Sequence, residues 1–425
     1  MKVELTDHSV VKKSLKIEVP ADIIDDELKN TVREYAKKAR IPGFRAGKVP
    51  LDLVRNRFRK EIREDVRDRV VSRYYHEATK EKGLQPLGEP TLEDLEFEDG
   101  KPLSFKTTFE IMPPIELNEY KELEGTRPST TVDDEEIEKS MEEIRQARAN
   151  LIAEEGRAAS TGDVVVGDLR GEPEDGEAFE KERMMIELGS ADSLPAFNDA
   201  LEGVKAKETK EFTVQYPDDY GSEIVAGKSV KYKVVVHEVK RRELPELDDE
   251  FAKDLGDFET LDALRARIRE DLESRKTQQA DREMRQSLMD KLLLANPIVL
   301  PEVMVEAEVR QRLEETVRQM MQQGMDPQSA EVDWAEMRKR MEEPARMTVH
   351  GKLLLDEIAR QETLEVSNDE MDQRIVRDAA QMGVEPEAAK DQLSQHGAMQ
   401  ALKNQLLREK SLDLIASVAN IKNEE

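Results

Sequence analysis

The spacing of apolar residues changes period along the chain, and this limits the folds open to it more than any other feature. Between residues 158 and 242 the apolar positions alternate in twos, in short runs at 163–169, 183–188, 210–216 and 229–239 separated by Gly, Pro and Asp clusters. Alternation of this kind marks strands with one buried face, so the stretch reads as a compact β-rich domain with a short helix near Phe197 to Leu201. From Leu261 the spacing lengthens to threes and fours, through Leu264, Ile268 and Leu272, then Met284, Leu288 and Leu292 before Asn296 and Pro297. That spacing puts one apolar stripe on a helix. Further helices are expected from Pro301 to Gly324, through Trp334 and Met341, from a capping box at Ser367 and Glu370 to Gly383, and from Glu387 to Ala419. A chain of 425 residues that keeps the two periods in separate blocks has room for roughly two to four domains.

Ahead of the β-rich block the pattern is mixed. Residues 14–19 alternate and stop at Pro20, which predicts a half-buried strand. Leu28, Val32 and Ala36 then recur at helical spacing, and after a turn at 41–50 a second helical pattern carries Leu53, Val54, Phe58, Ile62, Val66, Val70 and Tyr74 to Gly83. A strand-like stretch at 103–112 ends at Pro113 and Pro114. Beyond the double proline, Thr131 and Asp133 precede a helix with Ile137, Met141, Ile144 and Leu151 on one stripe, ending near Gly156, which reads as an arm joining two bodies. The predicted fold class is multidomain α+β, divided at 1–114, 115–157, 158–242 and 243–425.

Charge is distributed unevenly. The chain carries a formal net charge of -28, yet from Lys37 to Arg73 thirteen Lys or Arg face five Asp or Glu. One basic block on an acidic body can steer the protein to a polyanion through a single patch, while a solvated helix face is the alternative reading. Cysteine is absent, which excludes disulfides, thiol nucleophiles and Cys-ligated metals. The five histidines are scattered, so no metal site and no cofactor is expected, and no phosphate-binding loop of the Walker type occurs. No stretch approaches the roughly 18 apolar residues of a membrane span, and the start MKVELTDHSV has no export pattern, so a soluble cytoplasmic protein without a membrane partner is expected.

The turn between the two N-terminal helices reads Ile41, Pro42, Gly43, Phe44, Arg45, Ala46, Gly47, Lys48, Val49, Pro50. Glycines on both sides of a Phe suit a projecting tip, with Phe44 as an apolar anchor and Arg45 and Lys48 as cations for carboxylate or phosphate. This loop resembles the signature of the trigger factor family of ribosome-associated bacterial chaperones, of the form Gly, Phe, Arg, any residue, Gly, Lys, any residue, Pro. The resemblance runs along the whole chain, including the basic helix, the arm, the β-rich insert and the Glu243, Leu244, Pro245, Glu246, Leu247 segment. It implies an N-terminal α+β ribosome-docking domain, an FK506-binding-like insert and an extended all-α C-terminal domain with arms. It also implies that Phe44, Arg45 and Lys48 dock on an exit-tunnel protein and neighbouring RNA. The family often has a third basic residue where this chain has Ala46, which implies weaker anchoring, offset by Arg55, Arg57, Arg59 and Lys60.

The insert resembles the FK506-binding type of peptidyl-prolyl isomerase through residues 194–203, Phe212 and the run Tyr216, Pro217, Asp218, Asp219, Tyr220, Gly221. Matching the family pocket points to Phe179, Leu194, Phe197, Tyr220 and Tyr232, with Leu169, Glu180 and Met184. Leu169 and Met184 stand where the family commonly has rings, and Ala196, Asn198 and Ala200 also depart from its pattern, so weak or variable isomerase activity is expected. Twelve of seventeen methionines lie from Met284 onward, and flexible Met side chains on charged helices suit a repacking client surface as well as ordinary core.

Three readings stay open at this level. The first, to which the resemblance points, is an ATP-independent chaperone that docks at the ribosome, holds nascent and unfolded polypeptides, assists folding and export, and is free to pair as a homodimer off the ribosome. The second is primarily a free proline isomerase acting on unfolded clients. The third is an RNA-binding protein, which the acidic body and the shortage of stacking aromatics beside the basic block disfavour.

Overall fold

The computed structural model describes residues 1–425 except 43, 45–48, 99, 155, 175–176, 191–194, 218–224, 328–331, 396 and 425. The chain forms two compact units, Met1–Pro128 with Asp281–Glu425, and Ser129–Ala280. The elements run β1 (Lys2–Asp7), β2 (Lys12–Val19), α1 (Ala21–Lys38), α2 (Leu51–Arg57), α3 (Arg59–Glu81), β3 (Pro86–Glu96), β4 (Leu103–Ile111) and β5 (Glu124–Arg127). Next come α4 (Asp134–Ala147), β6 (Asn150–Ala153), β7 (Val164–Pro173), β8 (Phe179–Glu187), α5 (Pro195–Leu201), β9 (Thr209–Gln215), β10 (Ser229–Glu243), α6 (Asp249–Leu255) and α7 (Leu261–Ala295). The last are α8 (Glu302–Gln322), α9 (Trp334–Gln361), α10 (Asn368–Met382), α11 (Pro386–Gln395), α12 (Met399–Val418) and β11 (Asn420–Asn423).

In the first unit an antiparallel sheet runs in the order β1-β2-β4-β3. Alternation along β2 and β4 buries Leu15, Ile17, Leu103, Phe105 and Phe109, and these pack in one core with Ile24 and Val32 of α1 and Ile62, Val66 and Val70 of α3. The predicted second helix is divided at Phe58. The ladder continues through the break, because Phe58 N–H donates to Val54 O and Ile62 N–H to Phe58 O, both at 2.9 Å. The basic helix is therefore bent and not stopped. Its bend places the Phe58 ring 5.9 Å from that of Tyr35 on α1.

The helical part of this unit closes around Leu288 and Leu292 of α7, Leu354 and Ile358 of α9 and Ile415 of α12, with Ile115, Leu117 and Leu123 against them. Asn296, buried after the end of α7, accepts from Asn118 N–H at 2.6 Å and donates to Leu292 O at 2.9 Å, while its carbonyl accepts from His350 Nε2 at 2.7 Å. A parallel pairing of β11 with β5 ties the segment before Pro128 to residues 420–423, and Arg127 bridges Asp281 at 2.8 Å. Glu110, buried on β4, accepts from Val303 N–H at 2.9 Å and so serves an unpaired donor at the start of α8.

The second unit holds a sheet in the order β6-β10-β7-β8, with β9 also on β10. Its core includes Val165, Leu169, Ile186, Val214, Val234 and Val236. Beside it in sequence, α4, α6 and the start of α7 share a second core of Ile137, Met141, Phe251, Leu264 and Ile268. The expected N-terminus of α4 is present as a full capping box between Asp133 and Glu136.

Two helices end earlier than expected. The arm helix stops at Ala147, and Leu151 lies in β6, which pairs with residues 240–243 of β10. The long final helix is two, α11 and α12, separated where Gly397 takes φ +65°. Glycine reaches that left-handed value without the Cβ penalty that would favour continuing the helix.

Candidate functional site

In the second unit one row of side chains crosses four strands. Phe212 on β9 stands opposite Tyr232 on β10, Tyr232 opposite Gly171 on β7, and Gly171 opposite Phe179 on β8. Residues opposite one another share a face of the sheet, so the three rings and the glycine line one side. The short helix α5 brings Phe197 to this row, with its ring centroid 4.9 Å from both Phe212 and Tyr232. Phe179 meets Tyr232 edge-on at 6.2 Å. Such tilted and edge contacts match the positive rim of one ring to the negative face of another.

Tyr232 is buried, and its hydroxyl lies 2.7 Å from that of Tyr216, so this polar pair is satisfied within the aromatic cluster. Leu169 is buried opposite Val234, and Met184 stands opposite Gly167 and packs half-buried against the same core. The structure therefore brings together Phe179, Phe197, Tyr232, Leu169 and Met184 from the sequence expectation. Leu194 and Tyr220 lie outside the described residues. Glu180 is not brought to the rings. As the next residue after Phe179 on a strand it faces the other way, 65% exposed, with its carboxylate accepting from Arg170 Nη1 at 3.1 Å. Phe212 and Tyr216 join the cluster although the expected pocket omitted them; both stand in the stretch that carried the resemblance.

Among the described residues, this largely aromatic, half-buried cluster includes no carboxylate, imidazole or amine. It can exclude water from an apolar ring and from the amide next to it. That is enough for prolyl rotation, whose barrier of about 18–20 kcal/mol comes from losing amide resonance and not from breaking a bond.

The second feature lies between α1 and α2. Ile41 and Val49 are buried in the sheet's core, whereas Phe44 between them is 45% exposed. The stems of the turn are thus anchored and Phe44 stays accessible. Arg45 and Lys48 lie outside the described residues. On the following helices the basic block divides. Arg69 bridges Glu34 at 3.0 Å, and Arg73 bridges Glu77 at 3.1 Å. Arg67 bridges Asp68 at 2.7 Å, so cations late in the block are partly neutralised by their neighbours. Arg55 and Arg57 on α2, nearer the loop, are exposed. Tyr35 donates to Asp65 at 2.7 Å, and this bond to a carboxylate pushes the phenol up to about 12.

No described helix is long and apolar enough to cross a membrane. Among the described residues no group of three or more His, Asp or Glu is placed to hold a metal ion.

Comparison with known proteins bears on both features. Residues 1–144 match the family model described as bacterial trigger factor protein (TF), and residues 260–417 match its C-terminus. Residues 155–240 match FKBP-type peptidyl-prolyl cis-trans isomerase. The trigger factor of Koribacter versatilis is 38% identical over 95% of this chain and 94% of its own length. The chain belongs to the trigger factor family. The trigger factors of Solibacter usitatus and Halalkalibacterium halodurans are each 34% identical, covering 95% and 94% of this chain and 96% and 95% of their own. A solved trigger factor chaperone, described for promiscuous substrate recognition in folding and assembly, aligns over 98% of this chain and 99% of its own. Its TM-score is 0.54 at 22% identity, a likeness of fold. As a trigger factor, the chain is a ribosome-associated chaperone with an FKBP-type peptidyl-prolyl cis-trans isomerase domain.

Proposed function

We propose that this trigger factor docks beside the ribosomal exit tunnel through Phe44, Arg45 and Lys48, on a tunnel protein and neighbouring RNA. It holds nascent polypeptides on its helical segment without ATP, and it rotates prolyl bonds over the ring cluster. On this reading residues 1–114 dock, 115–157 form the linker and arm, 158–242 are the isomerase domain, and 243–425 hold clients in the cytoplasm. A homodimer forms off the ribosome. Phe179, Phe197 and Tyr232, with Leu169, Met184, Leu194 and Tyr220, receive the prolyl ring. Water is excluded there, and the twisted amide, less dipolar than the planar one, is favoured by apolar surroundings. Leu169 and Met184 make a softer wall than rings would, so rotation is slow.

The observation that carries the holding role is apolar side chains left in solvent on charged helices: Leu294 79%, Met382 75% and Met321 63% exposed. Each offers a shallow contact, so a client leaves as it buries its own apolar surface. The test is suppression of aggregation of a proline-free client in the absence of nucleotide. The proposal predicts suppression that survives Phe197→Ala. Suppression confined to proline-containing clients, or abolished by Phe197→Ala in a folded variant, would favour the isomerase as the main activity.

A further inference from the structure

We infer that Gly171 fixes the width of the prolyl pocket by giving the Phe179 ring its place against the sheet. The inference rests on the proposed reading of the ring cluster as that pocket. A Cβ built on Gly171 would lie 2.4 Å from Phe179 Cζ, 2.8 Å from Cε1 and 2.9 Å from Cε2. Contact between carbon atoms is comfortable only near about 3.5–4.0 Å, so the tip of the ring occupies the volume that a side chain at 171 would take. From there Phe179 reaches Tyr232 edge-on at 6.2 Å, and Tyr232 in turn meets Phe197 at 4.9 Å. The missing side chain in the middle of the row is what lets the rings on either side approach each other.

Gly167, two residues beyond Leu169 on the same strand, shows the contrast. A Cβ there would lie 2.5 Å from the Val235 carbonyl oxygen, a backbone atom that cannot swing aside, so glycine at 167 is a requirement of the sheet. At Gly171 the obstacle is the far end of one side chain, and the backbone is outside the left-handed region that reserves a position for glycine. Alanine at 171 is thus compatible with the fold but pushes the tip of the Phe179 ring away from position 171 and out of its edge contact with Tyr232, changing the wall of the place where the substrate ring is received. Gly171 is a positioning residue: it touches no substrate and acts through Phe179.

The experiment uses the full chain and follows isomerisation of short Ala-Pro and Leu-Pro peptides by NMR exchange. It compares wild type, Gly171→Ala, Phe179→Leu, the double variant, and Phe197→Ala. Gly171→Ala is expected to lower kcat/KM by on the order of tenfold, since displacements near 1 Å at a reacting site have effects of that size or larger. The preference between Leu-Pro and Ala-Pro is expected to shift from that of wild type, at a melting temperature close to wild type. In the Phe179→Leu background, alanine at 171 is expected to cause no further loss, because the ring it would displace is gone. A folded Gly171→Ala with wild-type kcat/KM and wild-type peptide preference overturns the inference. So does a full additional loss in the double variant, and that comparison stands even if the single variant does not fold. Phe197→Ala separates the two levels: if it leaves activity intact, the pocket reading fails, whereas loss with Phe197→Ala alone removes only the role of Gly171.

Discussion

Glu370 shows how much one side chain does at a helix start. Its carboxylate takes Lys410 Nζ at 2.6 Å from α12 and accepts from Ser367 N–H at 2.8 Å, while Ser367 Oγ accepts from Glu370 N–H at 3.3 Å. The Lys410 contact, followed by the bonds to Ser367, lowers the carboxyl from 4.5 to about 2. A lowered carboxyl pKa means that the folded state holds the proton less tightly than the unfolded chain. The stabilisation is present above about 4.5 and is lost as pH falls toward 2. Acid unfolding of wild type and Glu370→Gln, followed by circular dichroism, should differ most above pH 4.5 and converge near pH 2. A constant difference across that window would contradict the assignment. The capping pair itself is legible in the sequence, since Ser and Glu three apart before an apolar stripe have few other uses. The Lys410 contact is not, because it joins residues forty positions apart through the packing of α10 and α12. Glu180 illustrates the reverse: resemblance placed it with the pocket, but alternation along β8 turns its carboxylate to Arg170.

At the scale of elements, periodicity identified the buried strands and most helices, and it failed where local sequence is ambiguous. Leu151 continues the helical stripe of Ile144 by spacing, yet the open edge of β10 recruits residues 150–153 into a strand. That competition depends on a strand almost a hundred residues away. β3 carries no legible period in the sequence, because Pro86 and Pro90, positive φ at Gly88 and Asp94, and two register shifts hide its alternation. β5 and β11 are four residues each, too short to carry a period, and pairing alone makes them strands. Asn296 marks another junction that spacing could only read as a helix stop. Asn296→Ala removes the acceptor for Asn118 N–H and the buried amide that donates to Leu292 O, and each hydrogen bond lost costs about 0.5–1.5 kcal/mol. The denaturant midpoint of the Met1–Pro128 with Asp281–Glu425 unit should fall accordingly, and an unchanged midpoint would refute this role.

Across the whole molecule the charge is unevenly arranged. A net charge of -28 keeps the acidic majority away from RNA, and the basic block from Lys37 to Arg73 is the exception. Within that block Arg67, Arg69 and Arg73 bridge carboxylates, while exposed Phe44 and the cations of α2 are left nearer the turn. The division could not be read from composition, which counts cations without showing which are already paired. Cosedimentation in moderate salt decides whether this turn recruits the chaperone to the ribosome, as proposed. Wild type should sediment with ribosomes and release as salt rises, since screening weakens exposed charge contacts beyond about 8–10 Å. The triple variant Phe44→Ala, Arg45→Ala, Lys48→Ala, still folded by circular dichroism, should stay in the supernatant. Sedimentation of that variant at the wild-type level would contradict the claim and move recruitment to another surface.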